Sequence, residues 1–294
     1  VGRYWAEHFD IDGWRLDVAN ELNDGFLRAF RGAVKEAKAD ALIIGEVWED
    51  AVVKESYGSR RKYALGTSLD SVMNYPFRES LLAFMHGHSD AYDLREFFIS
   101  QQMNYPRPMY YSLMNLLGSH DVDRIRSALA TDLYLRSMSR EAQLAVEFSP
   151  EALDRATALE RLCAVVQFSI PGVPSIYYGD EQGMCGVNDP FNRQPFTEGD
   201  QSLHDYYASL AKLRNEAPAL STGEVEFMAA GKDLFLVLRY INDGKDALGQ
   251  SAENGAYLAV VNRSGLCQSY TADCRSANCG RYTGTIGPLN AEII

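Results

Sequence analysis

The sequence predicts an α/β fold in which part of a TIM (β/α)8 barrel, its strands four to eight, precedes a small antiparallel β-sandwich. Up to about residue 217, strand-like runs alternate with helix-like runs, a pattern typical of parallel βα units. Beyond Pro218, short alternating strands are separated by Gly, Asn and Asp turns. A chain of 294 residues can bury a large domain and a smaller one. We therefore expect residues 1–217 to form the barrel part and residues 218–294 the all-β domain.

Five runs in the first part predict parallel strands, at residues 13–18, 41–47, 69–74, 113–119 and 173–178. Asp24 is the predicted N-cap of the helix that follows the first strand, and a long apolar helix covers residues 151–168. In the second part, residues 234–238 and 257–261 are predicted strands. Since a closed barrel needs eight strands, we expect the others to lie upstream of Gly13.

The charge and hydropathy of the chain argue against some classes of binding partner. The net charge of −12 argues against nucleic acid and anionic membranes, because a polyanion would be repelled. No apolar run approaches the roughly 20 residues of a membrane helix, and no Lys- or Arg-led apolar segment opens the chain. The sequence thus predicts a soluble protein. We expect it to be cytoplasmic, with secretion left open because a signal peptide would lie before Val1.

The five cysteines do not have metal-ligand spacing, and we predict that they are free thiols. Cys274 and Cys279 could still pair in an oxidising compartment. No metal-binding cluster is visible in the sequence, so no metal site or cofactor is predicted in this chain.

The ends of the first two strands carry a pair of carboxylates. Arg15 and Asp17 are two residues apart and share a strand face, so the guanidinium can keep the carboxylate ionised and nucleophilic. Glu46 shares its face with Leu42, Ile44 and Trp48. This apolar setting would favour a protonated carboxyl, as a general acid requires. One ionised and one protonated carboxyl are what retaining glycoside hydrolysis needs.

A third strand end carries His120 and Asp121. Side chains of these types can hydrogen-bond the hydroxyls of a sugar and stabilise positive charge that develops on its ring. Barrel enzymes place their catalytic groups at the C-terminal ends of the strands, where all three of these positions lie.

Three segments in this order resemble signature regions of the α-amylase family, glycoside hydrolase family 13. Residues 12–21 (DGWRLDVANE) are similar to the second region, 45–48 (GEVW) to the third and 119–121 (SHD) to the fourth. Residues 70–77 (DSVMNYPF) and the Asn20-Glu21 pair resemble the neopullulanase and cyclomaltodextrinase branch. The resemblance implies Asp17 as nucleophile, Glu46 as acid/base and Asp121 as transition-state stabiliser, supported by Arg15 and His120.

The resemblance also implies an α-glucan oligosaccharide or polysaccharide as substrate. Residues 178–184 and 189–193 are similar to further family segments, in which an Asp and an Arg contact sugars. Asp189 and Arg193 are therefore candidates for substrate binding, with a mutual loop salt bridge as the alternative. Trp48 could stack on a sugar, or pack beside the barrel mouth.

The sequence departs from the family pattern at its start. The first signature region and the barrel strands before Gly13 are absent, so we interpret the chain as a C-terminal fragment that is inactive alone. Open barrel edges could lead to self-association or a homodimer. Calcium is possible in the full-length enzyme, because relatives bind it through upstream ligands.

Alternative functions share the carboxylates. A 4-α-glucanotransferase, a plain α-amylase or an α-glucosidase would use the same residues, because transfer and hydrolysis differ only in the acceptor that reaches the glycosyl-enzyme. A non-catalytic amylase-like partner domain is disfavoured, because such relatives generally lose the carboxylates that are present here.

Overall fold

The computed structural model describes residues 1–294 and has an α/β fold. Its helices are α1 (Gly2–Phe9), α2 (Asp24–Ala37), α3 (Tyr75–His86), α4 (Ala91–Asn104), α5 (Arg107–Tyr110), α6 (Ile125–Ala130), α7 (Arg140–Leu144), α8 (Pro150–Ser169), α9 (Gln201–Glu216) and α10 (Pro218–Thr222). None of these helices combines the length and the apolar character that crossing a membrane would require.

The strands are short in the first part of the chain and longer in the second. They are β1 (Gly13–Leu16), β2 (Leu42–Gly45), β3 (Glu55–Ser56), β4 (Ser59–Arg60), β5 (Ser71–Val72), β6 (Met114–Leu116), β7 (Val173–Ser175), β8 (Glu224–Ala229), β9 (Leu234–Ile241), β10 (Gly255–Asn262), β11 (Gln268–Asp273), β12 (Arg281–Ile286) and β13 (Asn290–Ile293). Each of the five predicted parallel strands contains one of these, shortened at its ends.

The parallel strands neighbour one another in chain order. β1 pairs with β2, and β2 pairs with β5. A parallel bridge between Met73 and Met114 continues the order to β6, which pairs with β7. Because parallel strands in one order place their C-terminal ends at one edge, the polar residues that follow β1, β2 and β6 face a common side.

Two glycines allow β1 and β2 to approach their neighbours. A Cβ at Gly13 would lie 2.2 Å from the carbonyl oxygen of Leu42, the residue opposite it in β2. A Cβ at Gly45 would lie 2.5 Å from the side chain of Leu69. A larger residue at Gly13 would force β1 and β2 apart, and one at Gly45 would displace the Leu69 side chain.

Two local predictions need correction. The N-cap of α2 is Asn23, whose side chain accepts a hydrogen bond from the Phe26 N–H, whereas Asp24 is the first helical residue. Asn and Asp are about equally favoured as N-caps, so the sequence pattern alone could not decide between Asn23 and Asp24. Helix α1 precedes the first predicted strand and was not anticipated. It has only eight residues, about two turns, which is too short for a helical repeat to stand out in the sequence.

The second part of the chain contains the expected antiparallel strands. A four-stranded sheet has the order β13-β10-β9-β8, and the β11–β12 hairpin lies against it. Between them lies a small apolar cluster that includes Leu236, Val260 and Tyr270. On the other face, Phe227 and Phe235 stack on Phe98 of α4, with ring centroids 4.9 and 5.5 Å apart. The sheet is thus packed on both faces.

Arg239 ties this sheet to the helices. It is fully buried on β9, and its guanidinium donates to the carbonyl oxygens of Ser169 at 2.8 Å, Leu220 at 2.8 Å and Gly223 at 3.0 Å. These carbonyls belong to the end of α8 and to α10, whose last carbonyl groups have no partner within their own helix. Burial lowers the pKa of Arg239 to about 10.

Replacing Arg239 should destabilise the whole chain. Arg239→Leu leaves several buried carbonyl groups without a donor, so we expect the free energy of unfolding to fall by about 2 to 4 kcal/mol. Urea unfolding followed by circular dichroism measures this. Arg281→Leu is the matched control, because Arg281 is exposed on β12, and a common midpoint for the two variants would contradict the proposed role.

Asp70 connects α2 to the parallel strands. It lies 2.5 Å from Arg31 and 3.0 Å from Lys35, and it accepts the Ile43 N–H at 3.0 Å. Desolvation raises the pKa of Asp70, but the hydrogen bonds from Arg31 and Lys35 outweigh this effect and hold the pKa below its usual value. A carboxyl whose pKa is lowered by folding stabilises the fold while it is charged.

This gives a pH-dependent prediction for Asp70→Asn. At pH 7 the variant should lose about 1 to 3 kcal/mol of unfolding free energy, because charged hydrogen bonds are lost. The difference from the wild type should begin to shrink at about pH 4, the usual pKa of an aspartate, and should vanish as the pH falls through the lower pKa of the folded carboxyl, because the wild-type group is then protonated as well. Urea unfolding at several pH values tests this, with exposed Asp154→Asn as control. A difference that stays constant down to pH 2 would contradict it.

Candidate active site

One guanidinium group joins the two candidate catalytic carboxylates. Arg15 lies at the end of β1, with Nη1 2.6 Å from an oxygen of Asp17 and Nη2 3.1 Å from an oxygen of Glu46. The parallel register sets Leu16 opposite Gly45, so Asp17 and Glu46 leave neighbouring strands at the same level. The structure therefore brings together three of the residues that the sequence singled out.

The two carboxylates have different surroundings. The Asp17 side chain is 76% exposed, whereas that of Glu46 is only 6% exposed. Besides Arg15, Glu46 accepts a hydrogen bond of 2.8 Å from the backbone N–H of Val18. The predicted apolar setting of Glu46 is therefore wrong, although the residue is buried. The reason is that its polar partners, Arg15 and the Val18 N–H, come from the end of β1, which alternation along β2 does not show.

Val18 is held in an unusual backbone conformation. Its φ of 46° lies in the left-handed region, which a β-branched residue rarely adopts and which costs about 1 to 3 kcal/mol. This conformation directs its N–H towards Glu46, and its carbonyl accepts the Glu21 N–H at 2.9 Å. This role could not be predicted from the sequence, because valine rarely adopts a positive φ.

The loop after β6 carries the third candidate carboxylate. Nε2 of His120 lies 2.9 Å from Asp121, and the Arg193 guanidinium lies 3.5 Å from Asp121. Nε of Arg193 also lies 2.7 Å from Asp189 and donates to the His120 carbonyl oxygen at 3.1 Å. The salt bridge that the sequence left as the alternative for Asp189 and Arg193 is thus present, and it adjoins Asp121.

Tyr75 lies between the two groups of candidate residues. Its ring stacks on Trp48, with centroids 4.0 Å apart, and its hydroxyl lies 3.2 Å from Oγ of Ser119. The same Oγ accepts the Asp121 N–H at 3.1 Å. Burial raises the pKa of Tyr75 to about 12, so its hydroxyl stays protonated at neutral pH. Tyr75 belongs to the segment 70–77, which resembles the neopullulanase and cyclomaltodextrinase branch, but its place beside Trp48 and Ser119 was not predicted from the sequence.

Trp48 is covered on both ring faces. Tyr75 stacks on one face at an interplanar angle of 10°, and the guanidinium of Arg136 lies 4.9 Å from the ring centroid. A sugar could stack on Trp48 only after Arg136 moved away. Packing beside the site is therefore what the structure shows, and sugar binding by Trp48 stays a prediction.

A buried ion pair fixes the loops after β6 and β7. Arg124 donates to the Tyr178 carbonyl oxygen at 2.7 Å and to Asp180 at 3.0 Å. Burial raises the pKa of Asp180, and the Arg124 charge opposes this effect. Asp180 belongs to the family-like segment 178–184, and Arg124 follows the segment 119–121, so the contact holds the two loops together beside Asp121.

The structure contains no group of three or more His, Cys, Asp or Glu side chains arranged to hold a metal ion. Calcium in a longer form of the protein stays a prediction, as do the roles of the individual site residues.

Carboxylates at the C-terminal ends of parallel strands define an enzyme-like α/β site, and comparisons with known proteins specify its family. Residues 1–212 match the family model "Alpha amylase, catalytic domain". The chain therefore belongs to the α-amylase family. The predicted family and its glycoside hydrolase class are confirmed.

Curated relatives include an amylopullulanase from Thermoanaerobacter thermohydrosulfuricus, which is 35% identical over 90% of this chain and 18% of its own length. Neopullulanase 2 from Thermoactinomyces vulgaris is also 35% identical, over 90% of this chain and 41% of its own. A cyclomaltodextrinase from a Bacillus species is 35% identical over 97% of this chain and 44% of its own. The chain thus spans less than half the length of these relatives.

Among solved structures, the ligand-free cyclic α-maltosyl-(1→6)-maltose hydrolase from Arthrobacter globiformis superposes with a TM-score of 0.77. It is 27% identical, and the match covers 100% of this chain and 57% of the other. The structural neighbours are TIM-barrel enzymes of the same family, which confirms the α/β class of the fold.

The shielding of the Trp48 ring by Arg136 can be tested in solution by fluorescence quenching. In a Trp5→Phe, Trp14→Phe background, Arg136→Ala should increase acrylamide quenching of the remaining Trp48 fluorescence, because it uncovers one ring face. Exposed Arg140→Ala is the matched control and should leave the quenching constant unchanged. Equal constants for Arg136→Ala and its parent would show that Arg136 does not shield the ring.

Proposed function

We propose that this chain carries the catalytic residues of a retaining glycoside hydrolase that acts on α-1,4-glucans. Its substrates would be maltooligosaccharides, cyclodextrins, pullulan or starch, cleaved through a covalent glycosyl-enzyme. The observation that carries the proposal is the contact of one guanidinium group, that of Arg15, with both Asp17 and Glu46. A shared partner keeps two carboxylates close, which supports the separation of about 5 to 5.5 Å typical of retaining enzymes.

In this mechanism Asp17 is the nucleophile. Its exposed carboxylate can reach a substrate, and its contact with Arg15 holds it beside Glu46. An Asp17 oxygen attacks the anomeric carbon while Glu46 gives its proton to the departing glycosidic oxygen. Glu46 then takes a proton from water, whose oxygen attacks the same carbon and releases Asp17. Glu46 must be protonated for the first step, so substrate binding has to displace at least part of its contact with Arg15.

Asp121 would stabilise the positive charge that develops on the ring. Its contacts with His120 and Arg193 hold the carboxylate in place, and His120 and Asp189 offer hydrogen-bonding groups for sugar hydroxyls. The names of the curated relatives refer to pullulan and cyclomaltodextrin, which supports an α-glucan substrate.

We also propose that the five parallel strands are strands four to eight of a TIM barrel, with a boundary near residue 217 to a C-terminal β-sandwich. The strand order β1-β2-β5-β6-β7 supports the first point, since a barrel continues in chain order. The end of α9 at Glu216 and the start of the antiparallel sheet at Glu224 support the second.

Substitutions in the complete protein should separate the two carboxylates by role. Asp17→Asn and Glu46→Gln should each lower kcat on maltooligosaccharides by about 10³-fold or more, because nucleophile and acid act as one unit. With an α-maltosyl fluoride substrate, whose leaving group needs no proton, Glu46→Gln should still form the glycosyl-enzyme and Asp17→Asn should not. Initial rates and fluoride release measure both effects.

The control for this experiment is Glu253→Gln, which changes an exposed carboxyl far along the chain and should leave both rates unchanged. Near-normal turnover of Asp17→Asn or Glu46→Gln would contradict the catalytic role proposed for that residue. Fluoride release by Asp17→Asn but not by Glu46→Gln would reverse the two roles.

Residues 1–294 alone should hydrolyse these substrates far more slowly than the complete protein. The Asp17 side chain is 76% exposed, and five parallel strands do not surround it. Displacement of a catalytic group by about 1 Å can already cost about 10²-fold in rate. Assays of the purified 294-residue chain on maltooligosaccharides, cyclodextrins and pullulan test this, and equal turnover of the two forms would show that these residues suffice.

A further inference from the structure

The tip of the β11–β12 hairpin brings two cysteines together. β11 ends at Asp273 and β12 begins at Arg281, and the loop between them is closed by backbone hydrogen bonds. The Cys274 N–H donates to the Gly280 carbonyl oxygen at 2.7 Å, and the Cys279 N–H donates to the Cys274 carbonyl oxygen at 3.1 Å. The backbones of Cys274 and Cys279 are therefore in direct contact across the loop.

The side chains of the two cysteines face the same cavity. This cavity of about 200 Å³ is also lined by Leu258, Tyr282 and Ile294. Cys274 is buried in the cluster between sheet and hairpin, whereas Cys279 is exposed. Burial raises the pKa of Cys274, and the neighbouring Cys279 raises it further.

The loop is also anchored from outside. The Asn242 side chain, which follows β9, donates to the Ser276 carbonyl oxygen at 2.6 Å. Asn278 adopts a φ of 61°, a left-handed conformation that asparagine tolerates well and that turns the chain back towards Cys279. The approach of the two cysteines is thus part of a defined turn.

We propose that Cys274 and Cys279 form a cross-linking site, which a small-molecule disulfide such as oxidised glutathione converts into an intramolecular disulfide. The Cys279 thiolate, which solvent reaches, attacks one sulfur of the oxidant and releases one glutathione thiolate. The Cys274 thiolate then attacks the Cys279 sulfur and releases the second glutathione. The two cysteines lose two protons and two electrons, and the oxidant is reduced to two thiols.

The division of roles follows from burial. A buried thiol does not meet an oxidant from solution, so Cys274 can react only with a sulfur that is already beside it. Exposed Cys279 can form the mixed disulfide first. Cys267 is also exposed and lies just before β11, so it provides an internal comparison for a thiol that solvent reaches but that has no such neighbour in its turn.

The test is oxidation of the reduced chain with oxidised glutathione, followed by intact-mass measurement and tryptic mapping. Cleavage after Arg275 separates Cys274 from Cys279, so a disulfide links two peptides. Because Cys267 and Cys274 fall on one tryptic peptide, the mapping is done on Cys267→Ser. This variant should lose about 2 Da, one hydrogen from each thiol, and carry no glutathione.

The single variants report the order of the steps. In the Cys267→Ser background, Cys274→Ser should keep one glutathione on Cys279, and Cys279→Ser should react at least tenfold more slowly with the oxidant. Circular dichroism of each variant confirms that the fold is intact. A stable glutathione adduct on Cys279 when Cys274 is present, or a cross-link that disappears with Cys267→Ser, would overturn the proposal. Neither outcome depends on hydrolase activity.

Discussion

The parallel pairing of β1 with β2 is the constraint on which the site depends. It sets Leu16 opposite Gly45, and a shift by one residue would turn every side chain of β1 to the other face of the sheet. Asp17 and Glu46 could then no longer share the Arg15 guanidinium. The register is tolerated only because Gly13 has no side chain where the Leu42 carbonyl approaches. The close backbone pairing of β1 with β2 thus sets the positions of Asp17 and Glu46, and the polar contacts then orient their side chains.

The polar contacts around Glu46 come from two different sources. Arg15 provides a charge, and Val18 provides a backbone N–H at the cost of a strained conformation. Strain of this kind persists where the surrounding structure determines the backbone more strongly than the residue's own preference. Asp17, in contrast, has one charged partner and faces solvent. Two carboxylates at neighbouring strand ends therefore have unequal surroundings: Glu46 is buried with two donors, and Asp17 is exposed with one.

The sequence was informative where a short pattern determines the geometry. Alternation placed Arg15 and Asp17 on one face, and the order of the strand ends brought Glu46 to the same guanidinium. Prediction from the sequence failed where contacts between distant segments determine the surroundings of a side chain. The cover of Trp48 involves Arg136, 88 residues later in the chain. The polar partners of Glu46, Arg15 and the Val18 N–H, come from the end of β1.

The buried guanidinium of Arg239 bears on how such a chain can change during evolution. Its acceptors lie on α8 and α10, so a C-terminal sheet transplanted onto a different set of helices would bring a buried charge without the carbonyl groups that solvate it. The helices left behind would keep ends with no donor. Exchange of this sheet between family members therefore requires both sides to change together, which favours inheritance of the two parts as a single unit.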